Sequence, residues 1–222
     1  MTNELKTTYD WYTHTPILQY FIDEFPIEYA VEHGTGRYST PIMIKAKQYQ
    51  GFEESDEFRQ QMIDEGVYTA ENVSILDVPL DVDIATRFID LTDAQTGDLA
   101  QIYYNMYFGL KNELDGLEGL KMLFVDGYTC SRFTAINALY DLFDIIVYHD
   151  CEPNSFEHYG YANILPIVKE LYNGYKLATP TSYTGFFVKK GIGVDFTRLR
   201  EYIDVFCENE QLDYTDVYLL MD

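Results

Sequence analysis

Tyr29-Ala30-Val31-Glu32-His33-Gly34-Thr35-Gly36-Arg37-Tyr38-Ser39-Thr40-Pro41 reads as a strand that stops at a glycine turn and restarts as a helix. An acid, Glu32, sits at the end of the strand, and two glycines follow with Thr35 between them. Gly34 and Gly36 can take positive φ and let backbone N–H groups approach a ligand closely. A second hydrophobic strand, Tyr49-Gln50-Gly51-Phe52-Glu53, ends in another acid about twenty residues on, the spacing at which a carboxylate reaches a ribose beside such a turn. The stretch is therefore either a cofactor cradle or only a tight strand-to-helix turn.

On its N-terminal side, residues 8–25 hold Tyr9, Trp11, Tyr12, Ile17, Leu18, Tyr20, Phe21 and Phe25, an aromatic-rich amphipathic helix in which Pro16 suits the first turn and Thr15 the cap. Such a helix packs on a sheet. Its alternative use is as a pocket wall, with Trp11 and His14 facing a ligand.

On the C-terminal side, a helix is expected over residues 39–46, another over 55–65 with Phe58 and Met62 at helical spacing, and a third strand over 73–78 ending near Asp77. Residues 79–119 are acidic, with a helix expected over 97–114 where Leu99, Ile102, Tyr103, Met106 and Leu110 recur. Lys121-Met122-Leu123-Phe124-Val125-Asp126-Gly127 is a continuous apolar run, as for a strand buried on both faces. A helix over 132–142 and a second such strand, Phe143 to Asp150, repeat the pattern; a loop over 151–159 and a helix over 161–172 follow. Strands alternating with helices imply a parallel sheet. Residues 175–182 and 184–189 then form two strands with a short turn between them, which must be antiparallel. A helix over 199–207 and an edge strand or tail over 213–222 close the chain.

Composition narrows the function classes. Hydrophobic residues make up 47% and aromatics 16%, enough for a sizeable core, and 222 residues suit a single domain. Within it, residues 1–26 read as an N-terminal helical cap, 79–119 as a mostly helical acidic insertion and 190–222 as a C-terminal helix and tail. The formal charge of −22 argues against nucleic acid and against an anionic membrane surface, both of which reward clustered Lys and Arg. Cys130, Cys151 and Cys207 form no C-x-x-C pair, so a structural zinc site of that kind is not expected. A reducing, cytoplasmic setting fits best. No run is long enough to span a bilayer, and the polar N-terminus lacks a signal core.

Four acids, Glu32, Glu53, Asp126 and Asp150, fall at strand ends, with Asp77 a fifth candidate. In an open parallel sheet all would project into one crevice, where ligands bind. Glu53 can accept from a ribose diol, Asp77 from a purine amine, and Glu32 can pair with a cationic group. Ser39 stands where the third glycine of the dinucleotide fingerprint belongs, and no lysine is present to clamp a pyrophosphate. This favours a nucleoside cofactor without phosphates.

Glu32-His33-Gly34-Thr35-Gly36, Gly51-Phe52-Glu53-Glu54-Ser55 and Val125-Asp126-Gly127, set in five parallel strands and a closing antiparallel pair, resemble the Rossmann-like S-adenosylmethionine-dependent methyltransferases over roughly residues 15–190. The resemblance implies a three-layer, doubly wound α/β sheet of seven strands, mostly parallel, with the last antiparallel. It also implies S-adenosylmethionine over Gly34, Thr35 and Gly36 with its ribose on Glu53. The second half is similar to sugar and small-molecule O-methyltransferases of the macrocin type, which implies a hydroxyl acceptor on a sugar, glycan or small metabolite. In some of those, carboxylates at the places of Asp126 and Asp150 hold a divalent cation, so Mg²⁺ is an expected but open cofactor. His149-Asp150 departs from the usual acid pair, and His149 or Asp150 can instead serve as general base.

Arg132 is expected near Asp126, and Tyr159 in the loop as an aromatic substrate wall. Two other readings stay open. One is an NAD(P)-dependent oxidoreductase on the same scaffold. The other is a non-catalytic Rossmann-like binding or assembly protein that uses residues 79–119 as a partner surface. A homo-oligomer is compatible with all three.

Overall fold

The computed structural model describes residues 12–75, 93–179, 182–210 and 218–221. In chain order the elements are α1 (Thr15–Glu24), β1 (Ile27–His33), α2 (Thr40–Met43), β2 (Gln48–Glu53), α3 (Asp56–Asp64), β3 (Val73–Ile75), α4 (Asp93–Leu114), β4 (Leu120–Val125) and α5 (Thr129–Leu139). They continue with β5 (Ile145–His149), α6 (Pro153–Phe156), α7 (Leu165–Val168), β6 (Tyr172–Ala178), β7 (Tyr183–Lys189), α8 (Phe196–Glu210) and β8 (Tyr218–Met221).

Among the described residues the strands form one eight-stranded sheet in the order β3-β2-β1-β4-β5-β7-β6-β8. The first five are parallel, and β7 enters antiparallel between β5 and β6. The first seven strands have the arrangement that the resemblance implied, a Rossmann-like α/β fold of the methyltransferase type. The eighth is an addition: β8 pairs antiparallel with β6, so Tyr218–Met221 of the C-terminal stretch is an edge strand.

The doubly wound form follows from alternation. Along β4, Met122 and Phe124 face one side while Leu123 and Val125 face the other, and β5 repeats this with Ile145 and Val147 against Ile146 and Tyr148; all eight are buried. On the first face Ile17, Leu18 and Phe21 of α1 and Leu199 and Ile203 of α8 cover the sheet. On the second, Tyr103, Tyr107, Leu110 and Leu114 of α4 join Ala135, Ile136 and Leu139 of α5. Each fully buried side chain of this size contributes about 1.5–3 kcal/mol, so both faces hold the sheet firmly.

Local chemistry sets several boundaries. Pro16 lies in the first turn of α1 as expected, but Thr15 is its first helical residue and His14 takes the cap position without a side-chain cap bond. Ser55 does cap α3, its hydroxyl accepting from Phe58 N at 3.2 Å. The helix expected over 39–46 is shorter, Thr40–Met43. The one expected over 161–172 is not continuous: Gly160 at φ +76° starts a 3₁₀ turn, Tyr161–Asn163, and α7 follows it, with Pro166 in the first turn of that helix. No described helix is long and apolar enough to cross a membrane.

Candidate active site

The parallel register aligns the carboxyl ends of the central strands. His33 stands level with Phe52 and Val125, and Val125 with Tyr148. The residues that follow therefore open onto one edge, as the strand-end rule requires. There they line a crevice of about 630 Å³ that brings together His14, Gly34, Thr35, Gly36, Glu53, Asp126, Arg132, His149 and Asp150. Trp11 and Asp77, also selected from the sequence, lie outside the described residues.

The glycine turn is tied to its surroundings amide by amide. Gly34 N donates to Phe52 O at 2.9 Å, Thr35 N to Glu53 Oε2 at 3.1 Å and Gly36 N to Thr40 Oγ1 at 3.0 Å. The amides of Gly34, Thr35 and Gly36 are thus not free to cradle a phosphate. Gly34 takes φ +82°, and a Cβ there would collide with the backbone of Asp126 and Gly127. At Gly36 a Cβ would meet only the Ser39 hydroxyl, so this glycine keeps the crevice open.

Two acids sit differently from expectation. Glu32 does not reach the crevice: it is fully buried, its Oε2 accepting from Thr40 Oγ1 at 2.8 Å and from the Tyr49 hydroxyl at 2.5 Å. Burial outweighs these bonds and raises its pKa to about 7. Its role is to hold the glycine turn onto β2. Glu53 does line the crevice, but Oε2 accepts both the amide and the hydroxyl of Thr35, and Oε1 accepts the amides of Glu54 and Ser55. A ribose on Glu53 must therefore share it with Thr35, whose hydroxyl has a second partner in Tyr68 at 3.0 Å.

The far end of the crevice is an ionic cluster. Arg132 Nη2 lies 2.9 Å from Asp126 Oδ1, its Nη1 lies 3.0 Å from Asp150 Oδ2, and its Nε donates to Gly127 O at 2.7 Å. His149 Nδ1 lies 3.4 Å from Asp126 Oδ1 and 3.1 Å from Asp150 Oδ1, while Nε2 meets the hydroxyls of Thr13 and Ser182, each at 3.2 Å. Burial works against a charge on His149, but Asp126 and Asp150 prevail and hold its pKa above the ordinary value. Burial likewise opposes ionisation of Asp126, yet His149 and Arg132 bring its pKa down to about 2. Asp126 and Asp150 thus already share Arg132 and His149 as partners without a metal. With the guanidinium spanning both acids, the residues do not fit magnesium between Asp126 and Asp150. Tyr159 is not a crevice wall: its ring lies 4.1 Å under the Arg132 guanidinium.

His14 reaches this cluster from the start of α1. It is 2% exposed, and neither ring nitrogen has a hydrogen-bond partner. Its ring meets that of His149 edge-on at 4.8 Å and lies 4.8 Å from Phe124. Burial and the charge of His149 lower its pKa to about 3, so it is neutral.

Sequence reasoning passed over a buried network behind the crevice. His33 Nε2 contacts Ser131 Oγ at 2.7 Å and Glu54 Oε1 at 3.3 Å, and its Nδ1 is bonded to the Tyr107 hydroxyl. Glu54 also accepts from the Tyr103 hydroxyl at 2.7 Å and from Tyr128 N at 2.6 Å. This network ties β1, the end of β2, α4 and the turn after β4 into one floor. His33 and the Glu53-Glu54 pair lay within the quoted motifs and were the available signal.

No protein-family model and no curated protein sequence matches the chain. Among solved structures, cofactor-bound Rv0187 from MTB is similar, with a TM-score of 0.49 and 13% identity over 83% of this chain and 84% of its own. The O-methyltransferase from Bacillus cereus in complex with SAH is similar at a TM-score of 0.48 and 14% identity, over 80% of this chain and 81% of its own.

Proposed function

We propose that the protein is an S-adenosylmethionine-dependent methyltransferase acting on a hydroxyl of a sugar, glycan or small metabolite. The observation that carries this reading is the character of the crevice. It lies at the carboxyl ends of the strands of a methyltransferase-type sheet, the amides of Gly34, Thr35 and Gly36 are taken by protein acceptors, and Glu53, Glu54, Asp126 and Asp150 line it. A pyrophosphate finds the glycine amides engaged and meets the carboxylates of Glu53 and Glu54 beside them. A cationic sulfonium with a neutral nucleoside is compatible with both. This counts against NAD or NADP on the same scaffold.

The residues present fit the cofactor. Gly36 leaves room beside the turn, Thr35 and Glu53 offer hydroxyl and carboxylate to a ribose, and the volume suits a ligand of that size with an acceptor beside it. When bound, S-adenosylmethionine supplies the electrophilic methyl group. The chain's own task is to hold the acceptor in line and take its proton. His149 is unsuited to accept that proton, because both its ring nitrogens already have protein partners, Nδ1 with Asp126 and Asp150 and Nε2 with Thr13 and Ser182. Asp150, on the rim with 29% of its side chain exposed, is the proton acceptor in this reading. Asp126, Arg132 and His149 fix its position, and His14 faces the acceptor.

Calorimetry with S-adenosylmethionine and S-adenosylhomocysteine tests the proposal. Binding by the native protein and its loss in Gly36→Val are expected, since a side chain at 36 enters the crevice and displaces only the Ser39 hydroxyl, 3.1 Å from its Cβ. No binding by the native protein, or equal binding by Gly36→Val, would sink it. Glu53→Ala is the poorer probe, because that carboxylate also holds Thr35 and the start of α3.

A further inference from the structure

We propose that His14, His149 and Asp126 form a binding site for a first-row transition metal ion of the zinc, cobalt or iron(II) type, at the end of the crevice away from the glycine turn. One ligand atom from each of the three lies within 4.8 Å of the others. The site stands on its own geometry and does not depend on what the crevice binds beside it.

His14 is the decisive residue. A buried imidazole with both nitrogens unpartnered is costly, because its polar atoms have lost water and gained nothing. Nothing else in its surroundings explains it: its ring neighbours are Phe124 and the edge of His149. A cation held jointly with Asp126 and His149 does. The ion takes the place of the proton between His149 Nδ1 and Asp126 Oδ1. Their 3.4 Å separation is about the spacing of two tetrahedral ligands at roughly 2.1 Å from zinc. Closing the third side from at most 4.8 Å to that spacing asks a movement of about 1.4 Å or less from His14, which no hydrogen bond restrains.

The donor set selects the ion. Two imidazoles and one carboxylate suit zinc, cobalt or iron(II), and leave open positions for water or an acceptor oxygen. Magnesium and calcium prefer oxygen ligands throughout. With Nδ1 on the ion, His149 keeps its proton on Nε2, which donates to the hydroxyls of Thr13 and Ser182, each at 3.2 Å, and these orient the ring, while Asp150 stays paired with Arg132.

The test uses tag-free full-length protein stripped with a chelator, titrated with Co²⁺ followed by visible absorption, then with Zn²⁺ as competitor and with excess Mg²⁺. One equivalent of Co²⁺ is expected to bind, to be displaced by Zn²⁺ and to be unaffected by Mg²⁺. His14→Leu removes the unpartnered imidazole, so the metal-free variant is expected to melt at least as high as the parent while affinity for Co²⁺ falls more than about tenfold. His158→Ala, altered in the loop after β5, is expected to bind as the parent does. Absence of Co²⁺ binding, unchanged affinity in His14→Leu, or loss in His158→Ala overturns the site. If His14→Leu fails to fold, pulsed electron paramagnetic resonance of the native protein loaded with Cu²⁺ decides instead: two coordinated imidazoles support the site, and one or none overturns it. The titration contains no S-adenosylmethionine, so its failure leaves the proposed activity to stand or fall on its own calorimetry.

Discussion

Arg132 Nη1 lies 3.0 Å from Oδ2 of Asp150, a residue that the end of β5 holds in the left-handed region at φ +56°. Few residues other than glycine adopt that conformation without cost. The turn keeps it because the carboxylate is fixed on one side by Arg132 and on the other by His149. The strained residue is also the one the proposed reaction uses as proton acceptor, so the ion pair and the chemistry are linked.

That linkage gives the first prediction. Arg132 has 8% of its side chain exposed and satisfies Asp126, Asp150 and the carbonyls of Gly127 and His149. Arg132→Met leaves Asp126 and Asp150 with His149 as their one shared partner in a poorly hydrated place. An unfolding free energy lower by about 3 kcal/mol is expected, from the cost of breaking a buried pair. Arg132→Lys should recover less than half of it, because an ammonium cannot span both acids. Urea denaturation of the three proteins measures this, and full recovery by lysine would contradict the bridging role.

The two glycines of the turn are predicted to part company. Gly34→Ala meets both a positive φ and the backbone of Asp126 and Gly127, so it should cost more than about 2 kcal/mol. Gly36→Val has neither problem and should change stability by less than about 1 kcal/mol while abolishing ligand binding. Thermal melts alongside calorimetry separate the two effects. A Gly36→Val protein as unstable as Gly34→Ala would show that both glycines are structural.

What the sequence made legible was whatever is periodic or local. The apolar runs of β4 and β5, the short link between β6 and β7 and the acids at strand ends are written in adjacent residues, and the sheet order of the first seven strands agrees with them. The breaks after β5 were hidden because residues 161–172 have apolar spacing that suits a helix, while Gly160 and Pro166 act one at a time. The site was half legible for the same reason. Glu53, Asp126 and His149 announce themselves at strand ends. Nothing local says that Glu32 turns inward to Tyr49, that Arg132 occupies the gap between two acids, or that His33 meets Tyr107 across 74 residues.

The His33 network ties α4 into the floor of the crevice through Tyr103 and Tyr107. Tyr103→Phe removes the 2.7 Å hydrogen bond to Glu54 and leaves that carboxylate with one fewer donor in a place 1% exposed. A loss of about 1–3 kcal/mol is expected, together with faster amide exchange in α4. If Tyr103→Phe were as stable as the parent, the bond to Glu54 would contribute nothing to docking the helix beyond Tyr107–His33 and the apolar packing.

Glu32 gives the protein a pH dependence of unusual sign for a carboxylate. Burial raises its folded pKa to about 7, above the ordinary value of 4.5. Between those values the folded state binds more proton than the unfolded chain, so stability from this group is complete below the unfolded pKa and falls as pH rises through the folded one. A shift of that size is worth about 3 kcal/mol. Unfolding free energy is therefore expected to decline from pH 5 to pH 8 through this residue, about the reverse of a salt-bridged acid. Glu32→Gln keeps a neutral group against Thr40 and Tyr49 and should flatten the decline, being less stable than the parent at pH 5 and at least as stable at pH 8. Denaturant titrations across that range check it. An equally steep decline in Glu32→Gln would assign the dependence to another group.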